Sequence, residues 1–200
     1  TSDASPTCST FARRLAPGFF FLGLAGCTAE PPLPPLPALQ IDAARVTVSG
    51  LSSGAYMAQQ LHLAYSDRIA GAALLAGGPY GCARGDLRVA LAECMAPEDA
   101  GLPALPALAD AVRARAADGR LAPLAGLAGD RVWVYRGSAD AMVGERVTSA
   151  SADLYAAIGA EVTLQRRFDL PYAHLLPTAP PGDDCAIAAP PHIARCGFDA

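Results

Sequence analysis

The segment "VTVSGLSSGAYMAQQLH", residues 46 to 62, sets a glycine-serine cluster between a β-branched apolar run and a helix-forming run, and no other stretch restricts the fold as much. Gly50-Leu51-Ser52-Ser53-Gly54 matches G-x-S-x-G, a pattern that between a strand and a helix holds its central serine on a sharp, strained turn. Small residues two positions either side of Ser52 let strand and helix pass without collision. The remaining chain alternates in the same sense. "RVTVS" (45 to 49) reads as a strand, and 53 to 66 as a helix with Met57, Leu61 and Ala64 on one face. "AGAALLA" (70 to 76) reads as a buried strand stopped by Gly77-Gly78-Pro79. Helices are expected over 86 to 95, 105 to 117 and 146 to 158, and strands over "RVWVYRG" (131 to 137) and 161 to 167. This order predicts an α/β fold, a mostly parallel sheet with helices packed on both faces.

A serine hydroxyl is a weak nucleophile at neutral pH, so a base must take its proton and a carboxylate should orient that base. Of the three histidines, His174 follows the 161 to 167 strand through "FDLPYAHLLP", and loops leaving strand C-termini form the functional edge of such a sheet. His62 rides the helix that leaves Ser52 and is carried away from it, which suits a packing role. His192, between Cys185 and Cys196, is expected to face solvent. Asp140 leaves the 131 to 137 strand and is the favoured carboxylate. Asp153 falls in the next helix, and Asp169 is a substitute whose simpler role is at the surface. Ser52, Asp140 and His174 then stand in the serine-acid-histidine order of α/β-hydrolases. The backbone N–H of Ser53, at the helix start, is a candidate oxyanion donor.

Two hundred residues, 52% hydrophobic with net charge -4, fit one principal globular domain. The basic residues form no cluster of the kind that phosphate binding needs, which argues against nucleic acid. Arg13 and Arg14 precede an apolar run, 15 to 25, which falls short of the roughly 20 residues of a bilayer span and suits a signal-peptide core. It ends in Leu24-Ala25-Gly26-Cys27, similar to a bacterial lipobox in which Cys27 would carry lipid; an ordinary secretory signal is the alternative. "EPPLPPLPALQ" (30 to 40) favours an extended polyproline tether. The expected division is 1-26 signal, 27-40 tether and 41-200 catalytic domain. Apart from Cys8 and Cys27, four cysteines remain: Cys82, Cys94, Cys185 and Cys196. Of three connectivities, local pairing is the simplest, each short loop contributing about 3 kcal/mol. Their spacings do not suit zinc, and neither metal nor organic cofactor is expected.

"VSGLSSGAYMAQQLHLAYSDRIAGAALLAGGPYGCA" resembles the nucleophile region of polyhydroxybutyrate depolymerases and related esterases. The likeness continues through "ALAECM", "VYRGSADAMV", "YAHLLPT" and "CAIAAPPHIARCGFDA", nearly everything from 45 to 200. It implies Ser52 as nucleophile, Asp140 as acid, His174 as base, and the disulfides Cys82–Cys94 and Cys185–Cys196. Depolymerases of this subgroup are similar to circular permutants in which further strands follow the histidine. The resemblance therefore implies a catalytic domain that is incomplete at Ala200, with the second oxyanion donor beyond it. The expected function is ester hydrolysis of short-chain polyhydroxyalkanoate by an exported enzyme that touches membrane only through a lipid on Cys27. A feruloyl or acetyl esterase, and a catalytically silent lipoprotein with a hydrolase core, are the competing readings.

Overall fold

The computed structural model describes residues 37–95 and 104–199, and one compact unit spans Ile41–Ala200. The signal-like segment, Cys8 and Cys27 lie outside the described residues. Four strands, β1 (Val46–Leu51), β2 (Ile69–Leu75), β3 (Arg131–Tyr135) and β4 (Thr163–Arg167), pair in that order, every neighbour parallel. Between them run α1 (Ser53–Ala64), α2 (Leu87–Val89) continuing as a π-helical turn over Ala90–Cys94, α3 (Leu105–Ala117) and α4 (Glu145–Ala157). Two short strands, β5 (Leu176–Thr178) and β6 (Ile193–Arg195), form a separate parallel pair that the sequence did not announce. Three residues each carry too little periodicity to be read.

Side chains alternate across the sheet, so each face has its own core. Ala72, Leu74, Val132 and Val134 point to the face where α1, α3 and α4 pack, with Leu63, Val112 and Leu154 fully buried among them. Leu75 and Tyr135 point the other way and meet Tyr172, Leu175 and Ala194. The parallel α/β architecture is the expected one, but helices on both faces are not found among the described residues. The three long helices share one face, and the C-terminal segment covers the functional end of the other. Both expected disulfides are present: Cys82–Cys94 and Cys185–Cys196, with Cα separations of 5.9 and 5.7 Å.

α1 turns inward a different face from the one its apolar residues predict. Met57 is exposed, and Leu61 and Ala64 are only half-buried, whereas Ala55, Ala58, Gln59, His62 and Leu63 turn inward. Positions 55, 58, 59 and 62 follow the i, i+3, i+4, i+7 stripe, but two are polar and so escape an apolar count. They are buried because they are satisfied. Gln59 Nε2 donates to the Ser151 carbonyl at 2.7 Å, and its Oε1 accepts from the Tyr80 N–H at 2.8 Å. His62 has the Tyr155 hydroxyl 2.8 Å from Nδ1 and Asp130 Oδ2 3.0 Å from Nε2, which bears out its packing role.

Burial lowers the pKa of His62 below the ordinary histidine value, outweighing the opposing pull of Asp130. The unfolded chain therefore takes up a proton near pH ~6.5 that the folded chain still refuses, so stability drops as pH falls through that window. Thermal unfolding at two pH values either side of it should show a lower melting temperature on the acid side. His62→Gln should flatten this slope while lowering stability at neutral pH, and an unchanged slope would contradict the assignment.

Candidate active site

Ser52 sits where β1 becomes α1, with φ 57 and ψ -123. An L-residue with positive φ is strained, and such strain concentrates at functional turns where the surroundings over-determine the backbone. Three backbone bonds hold the turn from either side: the Ser52 N–H donates to the Leu75 carbonyl at 2.8 Å, and the Ser52 carbonyl accepts from the N–H groups of Ala55 at 2.9 Å and Tyr56 at 3.2 Å. The hydroxyl makes no capping bond to the helix. Ser53 opens α1, so its N–H belongs to the first turn and has no intrahelical acceptor.

Gly50 makes the turn sterically feasible. A Cβ there would overlap the Gly54 backbone carbonyl, backbone meeting backbone, with no flexible side chain to give way. Gly50→Ala is expected to cost about 1–3 kcal/mol or more, because the strand-to-helix crossing must reopen. Thermal denaturation would read this as a drop of several degrees. A variant melting with the parent would mean that the crossing is slack.

The C-terminal ends of the four strands are aligned by continuing backbone bonds. The Ala76 N–H donates to Tyr135 (2.8 Å) and the Arg136 N–H to Arg167 (3.1 Å), so the loops after β1, β3 and β4 leave the same sheet edge. Asp140 lies in the loop after β3 and His174 in the loop after β4. The two loops interlock: Ser138 N–H donates to Leu170 at 2.8 Å and Ala139 N–H to Tyr172 at 3.2 Å. A Cβ on Gly137 would overlap the Tyr172 carbonyl, which shows how close the approach is.

The structure brings Asp140 and His174 together. His174 Nδ1 is 2.8 Å from Asp140 Oδ2, and both side chains are buried. Asp140 Oδ1 accepts from the N–H groups of Met142 (2.8 Å) and Val143 (3.0 Å). Burial pushes the Asp140 carboxyl up, but the His174 bond and the two backbone donors outweigh it and hold it below the ordinary carboxylate range. Such a carboxylate fixes Nδ1 as the protonated ring nitrogen and frees Nε2 to accept a proton. Ser52 stands at the same edge, two strands from Asp140, and its hydroxyl makes no hydrogen bond to His174 in the described structure. Bonds of this kind are commonly long until a substrate is bound. Asp153 and Asp169 lie elsewhere, at the surface, against Arg166 and Arg167.

Two supports of this pair escaped sequence reasoning. Arg136 is buried and donates to the carbonyls of Val143 (2.9 Å) and Asp140 (2.6 Å), bracing the carboxylate loop. An arginine directly after the apolar run "VWVY" was the available signal. His192 does not simply face solvent: it is half-buried, with Nδ1 3.3 Å from the His174 carbonyl. The chain around it grips the His174 turn, Ala173 N–H donating to Cys185 (2.7 Å) and Leu176 N–H to His192 (2.8 Å). Ser52 and Ser53 also border a cavity of about 820 Å³, within the range of small-ligand sites.

No protein-family model matches the chain. It is 38% identical over 165 residues to poly(3-hydroxybutyrate) depolymerase of Delftia acidovorans, covering 82% of this chain and 33% of that protein. It is 32% identical over 174 residues to polyhydroxybutyrate depolymerase of Talaromyces funiculosus, covering 82% of this chain and 48% of that protein. Among solved structures it resembles PHB depolymerase from Penicillium funiculosum, with TM-score 0.66, 29% identity, and coverage of 82% of this chain and 50% of the other. A PHB depolymerase complexed with an R3HB trimer gives TM-score 0.67 and 28% identity at the same coverage, 82% and 50%. The chain thus spans between a third and a half of the length of these two curated relatives.

Proposed function

We propose that this chain, 38% and 32% identical to two polyhydroxybutyrate depolymerases and similar in fold to two PHB depolymerase structures, supplies the nucleophile, base and acid of a serine esterase of that family. The observation that carries this reading is the buried 2.8 Å bond between His174 and Asp140 at the sheet edge where Ser52 occupies its strained turn. Ser52 Oγ attacks the ester carbonyl while His174 Nε2 accepts its proton. Asp140 orients the ring and stabilises the imidazolium that forms. The N–H of Ser53 donates to the oxyanion. Collapse of the tetrahedral adduct expels the alcohol, which takes the proton from His174, and water then frees the acyl group by the same steps in reverse order.

The substrate class is short-chain polyhydroxyalkanoate, as the names of the relatives and the trimer complex suggest. Two disulfides in so small a unit suit an oxidising compartment and support export, and the lipobox-like run Leu24-Ala25-Gly26-Cys27 supports Cys27 as a lipid attachment point. The full-length protein should be labelled at Ser52 by a fluorophosphonate probe and should release 3-hydroxybutyrate from amorphous polymer. Absence of labelling would favour the silent lipoprotein, and release of ferulate from a feruloyl ester without attack on the polymer would favour the carbohydrate esterase.

A further inference from the structure

The cavity beside Ser52 has a chemically uneven wall. Ser52 and Ser53 border it from the start of α1, Arg115 borders it from the last turn of α3, and Pro79, Ala83, Leu108 and Ala111 supply apolar surface. Two guanidinium groups reach it, and they differ in what they hold. Arg84 Nη2 is committed to both carboxylate oxygens of Glu93, at 2.7 and 2.8 Å. Arg115 Nη1 donates to the Tyr80 hydroxyl at 2.8 Å, and no carboxylate among the described residues pairs with it.

That single bond is well founded. Tyr80 is buried, and its backbone N–H is held by Gln59, which is itself tied to the Ser151 carbonyl of α4. Arg115 is thereby aimed by a hydroxyl that is anchored to another helix. A guanidinium offers five N–H donors in a planar fork that matches a carboxylate, so donors remain for an incoming anion. The terminal acid is the one ionised group of a polyhydroxyalkanoate chain, and each ester bond that is hydrolysed creates another.

We propose that Arg115 anchors the free carboxylate of a short polyester chain, so that the cavity takes acid-ended hydroxyalkanoate oligomers in preference to capped ones. This rests on the hydrolase reading above. Apolar walls accommodate the alkyl-bearing units, the guanidinium takes the acid end, and an internal ester lies at Ser52. In a chain of net charge -4, this cation is the local attractor for an anionic ligand.

The test separates binding from turnover. Full-length Ser52→Ala protein is titrated calorimetrically with the 3-hydroxybutyrate trimer as free acid and as methyl ester. The acid should bind about tenfold more tightly, as a charge-assisted bidentate pair allows, and added salt should shrink the difference. The Ser52→Ala/Arg115→Gln double variant should bring the ratio close to one, whereas Arg115→Lys should keep part of it, retaining charge without the fork. Equal affinity for acid and ester, a ratio that Arg115→Gln leaves unchanged, or no binding of either trimer would overturn the proposal. Discrimination by a protein whose parent hydrolyses neither trimer would keep this subsite and sink the hydrolase; turnover without discrimination would do the reverse.

Discussion

Ser52→Ala is expected to reduce ester hydrolysis by the full-length protein about 10⁴-fold or more, the scale seen when a nucleophile is removed from a catalytic set that acts as a unit. The substitution is a clean probe because the hydroxyl contributes nothing visible to the fold. It makes no capping bond, and the contacts that hold the turn come from the Ser52 backbone, which alanine retains. Alanine inherits the same positive φ and so adds no new strain. The melting temperature should stay with the parent while turnover of p-nitrophenyl butyrate and release of 3-hydroxybutyrate vanish. Residual turnover near the parent level would remove Ser52 from the mechanism.

Asp140→Asn should cost about 10⁴-fold in kcat, and the hydrogen bonds explain the size. Oδ1 accepts from the N–H groups of Met142 and Val143, so the single oxygen of an asparagine must turn to that side. Its amide NH2 then faces His174 Nδ1, which has to become an acceptor. The ring proton moves to Nε2, and the nitrogen that should take the serine proton carries one instead. Shape is kept and the tautomer is lost. Asp140 also contributes to stability. Its folded pKa lies below the unfolded value, so the stabilisation is present above about pH 4 and fades as pH falls through the lowered folded pKa. The Asn variant should lose that acid-limb dependence. A variant with parental kcat at neutral pH would show that the ring is oriented by something else.

What the sequence disclosed and what it concealed divide along physical lines. β1 to β4 and the three long helices were legible because each is a run of several residues with its own period, bounded by Gly or Pro. The Ser52 turn, Asp140 and His174 were legible because strand exits in such a sheet gather at one edge, so chain order alone constrains geometry. The buried face of α1 was not, since Gln59 and His62 enter the core through bonds to Ser151, Tyr155 and Asp130, partners far away in sequence. Arg136 was missed for the same reason: its value lies in carbonyls four and seven residues on, in a loop whose path no periodicity fixes. The uneven distribution of helices was hidden too, because alternation tells that helices cover a sheet without telling which side each one takes.

The loop bearing Cys185, His192 and Cys196 holds the backbone on both sides of His174, and its ends are joined by a covalent link. The two halves of the proposed reaction centre therefore depend on different conditions. The strained serine turn needs only noncovalent packing between β1, β2 and α1, whereas the perch of the imidazole leans on a staple that an oxidant must close. A chain made among reducing thiols would keep the serine turn in place and would hold His174 only through Asp140 and the β3 loop, so the two parts of the proposed centre answer differently to the redox state of their surroundings.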